Sequence, residues 1–176
     1  PEIMIPLVSA KREVELVKKR VASVASQVGL ETSAEVNYKL GVMVETPRAA
    51  LRASDIAMNS EFLSFGTNDL TQMAYGLSRD DAGKFMSHYV QQGVFQEDPF
   101  HILDPEGVGE LVKLGADRAR SIKPNITLSI CGEHGGNPES IAFCHQLGFH
   151  YVSCSPYRVP VAKLAAAQVA ISTQIS

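Results

Sequence analysis

With 176 residues, 45% hydrophobic and 20% charged, the chain is long enough for one domain with a real core and has the composition of an ordinary globular protein. A net charge of −3 without a basic stripe argues against nucleic acid as the main partner, and no apolar run is long enough to span a bilayer. Three scattered cysteines, Cys131, Cys144 and Cys154, form neither a disulfide framework nor a zinc cluster, so a reducing compartment is expected, with cytoplasm the default.

Residues 3–8 are β-rich and begin without preamble or signal-peptide layout, as if the chain continued a longer one. Apolar residues at Val14, Val17, Val21, Val24 and Val28 recur at three- and four-residue steps, which predicts a helix over 11–28 closed by Gly29. Residues 39–44 predict a second strand ending at Glu45, and Pro47 suits the first position of a helix over 48–57. A third strand over 61–65 runs into Gly66-Thr67-Asn68-Asp69, the grammar of a tight turn before a helix over 70–77.

Residues 78–81 read as a charged, solvated loop, 83–95 as a helix, 97–101 as loop, and Pro105 as the start of a helix reaching Ala119. A fourth strand over 125–130 leads to Cys131-Gly132-Glu133-His134-Gly135-Gly136. Asn137 and Pro138 then start a helix to Leu147. A fifth strand over 149–154 and a final helix over 159–171 complete the series. Strands alternating with helices imply an α/β fold with a parallel sheet, because parallel neighbours need crossovers. At roughly 250 residues for a full (β/α)8 barrel, five βα units make a partial TIM barrel or an open sheet, here as a single domain over 1–176.

In either architecture, ligands gather at the C-terminal strand ends. Those ends hold Glu45, Gly66 to Asp69, and Cys131 to His134. Glu45 and Asp69 suit Mg²⁺, a hard ion often held by one or two carboxylates with water and substrate oxygens. Glu45 also suits a helix start, and Asn68 and Asp69 suit side-chain caps of the next helix. Cys131 is either a buried structural thiol or one activated by the glycine-rich loop, whose N–H groups would lower its pKa. His134 is equally a partner in the site or a loop residue. Ser153 and Arg158 sit where they could reach the rim. His145, His150, Cys144 and Cys154 read as packing or surface residues.

Five stretches carry a resemblance: residues 42–50, 65–73, 78–85, 131–136 and 153–160. In this order they resemble the phosphoenolpyruvate (PEP)-utilising enzymes, with Ser78-Arg79-Asp80-Asp81-Ala82-Gly83-Lys84-Phe85 and Gly132-Glu133-His134-Gly135-Gly136 nearer to its dikinase branch. Asn137 stands where Asp is expected, and Ala74-Tyr75 replace a polar-aromatic pair. The resemblance implies the conversion of ATP, phosphate and pyruvate to AMP, pyrophosphate and PEP. It implies that Glu45 and Asp69 hold Mg²⁺, that Gly66, Thr67, Asn68 and Asp69 surround the substrate carboxylate and enolate oxygen, and that Cys131 is the acid/base at the substrate's methyl or methylene carbon.

The family's phosphohistidine, its ATP-grasp nucleotide site and the arginines of its earlier barrel strands have no counterpart among these residues. The expectation is therefore a C-terminal portion of a PEP/pyruvate-binding barrel, inactive alone and prone to homodimerise or otherwise self-associate, with a plastid as compartment if the source is a plant. Alternatives are the synthase and phosphotransferase enzyme I branches, an aldolase-like Mg²⁺ enolate lyase, and a non-catalytic half-barrel that binds small acids.

Overall fold

A computed structural model describes residues 1–175, with side-chain environments through Thr173. Five strands, β1 (Glu2–Ile5), β2 (Lys39–Val44), β3 (Phe62–Gly66), β4 (Thr127–Cys131) and β5 (Tyr151–Val152), form one sheet in sequential order, every pair parallel. The helices between them are α1 (Lys11–Thr32), α2 (Pro47–Leu51), α3 (Ala53–Ala57), α4 (Thr67–Tyr75), α5 (Arg79–Ala82), α6 (Met86–Gln91), α7 (Val108–Ile122) and α8 (Pro138–Gln146). The last helix is α9 (Val159–Ile175). A sheet that adds each strand beside its predecessor is consistent with part of a (β/α) barrel.

The strand period of two sorts the side chains between two faces. Leu40, Val42, Val44, Leu63, Phe65, Leu128 and Ile130 lie on one face and pack with Ala50, Ala53, Ile56, Val112 and Ala116 in the main core. The opposite face carries Met4, Gly41, Phe62, Met43, Ser64 and Ser129, read off the register. There the Phe62 ring covers Gly41, where a Cβ would lie 2.3 Å from it.

Local chemistry moved several boundaries. The first strand stops at Ile5, and Leu7 adopts a positive φ of 49°. The helix expected over 48–57 is two short ones joined at Arg52, which ends α2 and begins α3. Residues 78–81, expected as loop, start a helix because the Ser78 hydroxyl accepts the Asp81 N–H, a cap whose Ser-x-x-Asp pattern was present in the sequence. In place of one helix over 83–95 there is only the short α6, and Ala82, Met86 and Phe100 form a small core of their own. The helix expected from Pro105 begins at Val108, where the Asp104 carboxylate accepts the N–H groups of Glu106, Gly107 and Val108.

Candidate functional site

Register builds the site. Val44, Phe65, Ile130 and Val152 lie level across the sheet, so the next positions, Glu45, Gly66, Cys131 and Ser153, form the C-terminal rim of the open face. Gly66 and Cys131 are paired directly. Gly66 has no room for a side chain: a Cβ would lie 2.7 Å from Glu45 Oε2 and 2.8 Å from Glu45 Cβ. Gly66→Ala is therefore expected to push the Glu45 carboxylate aside while leaving the fold intact. Circular dichroism would remain native and Mg²⁺-dependent oxalate binding would weaken about tenfold or more, since a misplaced group of order 1 Å loses that much.

Glu45 is only 4% exposed. Its Oε1 accepts the Leu7 N–H at 2.7 Å, which explains the left-handed turn at Leu7, a conformation unfavourable by roughly 1–2 kcal/mol for a non-glycine residue. Burial pushes the Glu45 carboxyl above the ordinary range; the Leu7 N–H opposes this, and Asp69, within hydrogen-bonding reach, adds to the rise. Two adjoining carboxyls, one with a raised pKa, lack only a positive charge, so the pair fits a hard divalent cation completed by water. Among the described residues no group of three or more His, Cys, Asp or Glu gathers as a metal cluster.

The turn after β3 differs from its expected form. Helix α4 starts at Thr67, Gly66 is its N-cap residue, and no side chain caps it. Asn68 and Asp69 thus stand in the first turn with their oxygens free of capping. Asn68 Oδ1 receives the Glu133 N–H at 3.4 Å, and Asp69 Oδ1 receives Gln72 Nε2 at 3.1 Å. Thr67 is fully buried, and its hydroxyl lies 2.6 Å from His134 Nδ1 and 3.2 Å from the Cys131 carbonyl. Those partners occupy the hydroxyl, so any substrate contact from Thr67 comes from its backbone.

Cys131 closes β4 instead of following it. Its thiol lies 3.6 Å from the Phe65 carbonyl. The expected lowering of its pKa is reversed: burial pushes the thiol up, a Ser64 hydrogen bond opposes this, and Glu45 and Asp69 push it further up. The helix-start field invoked for a thiolate is missing because the segment that follows is a four-residue 3-10 turn, Glu133–Gly136, with little aligned dipole. Gly132 takes φ +107°, and a Cβ there would meet Asn68 Oδ1 at 3.1 Å.

The sequence leaves His134 open between site partner and loop residue and gives Arg79 no role. His134 is fully buried beneath the rim. Arg79 reaches over from α5 to within 3.8 Å of Glu133. No periodicity marks either, since each contact joins distant parts of the chain. Ser153 and Arg158 line a cleft of about 300 Å³ beside the rim with Gly132, Glu133, Cys154 and Ser155. The remaining cysteines and histidines behave as packing or surface groups. Cys144 is in the core with its thiol pushed up to about 12 by burial, Cys154 packs beside Ile141, His150 accepts the Leu128 N–H, and His145 is exposed.

Residues 1–171 match the family described as PEP-utilising enzyme, PEP-binding domain. The chain is 53% identical over 174 residues to pyruvate, phosphate dikinase of Clostridium symbiosum, covering 99% of this chain and 20% of that protein. It is 54% identical over 172 residues to pyruvate, phosphate dikinase of Rhizobium meliloti (strain 1021), covering 98% and 19%. It is 54% identical over 169 residues to the chloroplastic pyruvate, phosphate dikinase of Mesembryanthemum crystallinum, covering 96% and 18%. The chain thus spans about one fifth of the length of these relatives. Among the described residues no helix is long and apolar enough to cross a membrane. With a family match across nearly its whole length and a rim of acidic, glycine and thiol groups at the strand ends, the chain belongs to the PEP-utilising enzymes through their PEP-binding domain.

Proposed function

We propose that this chain is the pyruvate/PEP-binding part of a pyruvate phosphate dikinase, which interconverts ATP, phosphate and pyruvate with AMP, pyrophosphate and PEP. The observation that carries it is the convergence of Glu45, Gly66 with Asp69, and Cys131 on one rim. The dikinase names of the relatives support it. Glu45 and Asp69 would hold Mg²⁺, which when bound supplies positive charge against the oxyanion that develops as pyruvate enolises. The backbone of Gly66 to Asp69 and the Asn68 amide orient the substrate's carboxylate and oxygen. Cys131 moves one proton. Toward PEP its sulfur takes a proton from the pyruvate methyl group, and in the other direction the thiol returns it to the methylene carbon.

Oxalate, a planar mimic of the enolate, tests the site. Wild type is expected to bind oxalate only with Mg²⁺ present, and Glu45→Ala to lose about 2 kcal/mol or more, as for a buried charged partner removed. Calorimetry showing no binding by either protein would leave a non-catalytic scaffold as the better account. A phosphate requirement in the full-length protein separates a dikinase from the synthase and enzyme I branches.

We expect no overall turnover from the isolated chain. It exposes apolar residues at both ends of the sheet: Ile3 and Val24 beside β1, Val161 and Leu164 on α9. Beside β1 an apolar cleft of about 280 Å³ opens between Ile3, Val24, Val28 and Tyr38. Outer strand edges and such patches favour association. Sedimentation is expected to show the isolated chain self-associating, with weight-average mass rising with concentration; a constant monomer mass would contradict this.

A further inference from the structure

His134 is the fully buried polar centre of the site's underside, and both its ring nitrogens are engaged. Nε2 lies 2.9 Å from the Pro99 carbonyl. A carbonyl can only accept, so Nε2 carries the proton and Nδ1 is left to accept. The single Thr67 hydroxyl proton has two acceptors in reach, Nδ1 at 2.6 Å and the Cys131 carbonyl at 3.2 Å, and the shorter contact to Nδ1 takes it. Burial, the largest influence, pushes the imidazole pKa down and keeps the ring neutral; the nearby Arg79 and His101 act the same way, against Glu133 and the Pro99 carbonyl.

One ring therefore joins three parts of the chain. Thr67 opens α4 directly after Gly66, Pro99 precedes the Phe100 core of the α5–α6 segment, and His134 itself lies three residues beyond Cys131. Gly135 packs so closely that a Cβ would lie 2.1 Å from the Ser153 carbonyl, so the 3-10 turn has little freedom to shift.

We infer that His134 is a positioning residue, whose Nδ1 contact with Thr67 holds the turn from Gly66 to Asp69 in register with the Cys131 thiol. This rests on the proposed proton transfer at Cys131. A ring that merely fills the core would need both contacts equally; a positioning ring needs the Thr67 contact in particular. Two amides separate the contacts. His134→Asn places an amide oxygen near Nδ1 and keeps an acceptor for Thr67. His134→Gln places an amide N–H near Nε2 and keeps a donor for Pro99.

The experiment measures exchange of pyruvate methyl hydrogens with solvent in the full-length protein, together with oxalate affinity and melting temperature. His134→Gln is expected to exchange about tenfold or more slowly at saturating pyruvate. Its oxalate affinity is expected to fall along with exchange, because Asp69 lies in the same turn, while its melting temperature matches that of His134→Asn, whose exchange stays within about threefold of wild type. Equal exchange in the two variants, or slower exchange in His134→Asn, overturns the inference. No exchange in wild type overturns the underlying proton-transfer reading instead.

If either variant does not fold, Thr67→Ser and Thr67→Ala replace them, since serine keeps the hydroxyl that Nδ1 accepts. The expected result is then exchange about tenfold slower, with weaker oxalate binding, in the alanine variant than in the serine variant. Equal exchange in the two, or slower exchange with serine, overturns the positioning role.

Discussion

Cys131→Ala is expected to slow exchange of the pyruvate methyl hydrogens by about 10²–10⁴-fold in the full-length protein, the range a positioned acid/base contributes, with Mg²⁺-dependent oxalate binding nearly unchanged. The thiol is half-buried and faces Glu45 and Asp69, so removing it takes away the proton carrier without removing the carboxylates. The direction of its pKa sharpens the expectation. Because burial and the two carboxylates hold the thiol above its ordinary value, the protonated form dominates at neutral pH. Proton donation to the methylene carbon is then available across neutral pH. Proton removal from pyruvate requires the thiolate and should rise with pH until the raised pKa is reached. A bound cation would offset the carboxylates and bring that limit down. Exchange rates measured against pH with wild type and Cys131→Ser check this; serine should fail even at high pH, as its hydroxyl does not ionise there.

Phe65→Ala is expected to produce the largest loss of stability, about 3–5 kcal/mol, from the lost ring and the cavity left behind. Phe65 is fully buried in β3 and stacks on Phe149 with ring centroids 5.4 Å apart. On its other side it fills the space left by Gly115, where a Cβ would lie 2.9 Å from the ring. The ring thus fastens β3, α7 and the approach to β5 together, directly beneath the Gly66 turn. For a chain of this size the melting temperature should fall by roughly 10 °C, read by calorimetry or denaturant unfolding. A variant as stable as wild type would show that the surrounding helices close over the gap.

The alternation of strand and helix was legible because local patterning records it. Val14 is buried and Val17 and Val21 pack half-buried against the core along one stripe of α1, and Pro47 and Pro138 stand at the first positions of α2 and α8 as their ring geometry favours. Boundaries that depend on which side chain collects the free N–H groups were not legible in the same way. Asp104 sets the start of α7 by collecting three N–H groups and the Tyr75 hydroxyl, so Pro105 does not begin the helix. The Asx caps suggested for Asn68 and Asp69 gave way because α4 begins immediately after Gly66, leaving those side chains for contacts across the rim.

By itself, the order of residues determined the α/β class, the parallel sheet and the chemical types assembled at the strand ends, because each depends on near neighbours and on the period of a strand or helix. Only the tertiary structure decided how those groups influence one another. Burial and Asp69 raise the pKa of Glu45, burial and the two carboxylates raise that of Cys131 instead of lowering it, and His134 becomes a buried link between Thr67 and Pro99. Electrostatics and burial act through space, and the partners concerned lie as far as 67 residues apart along the chain.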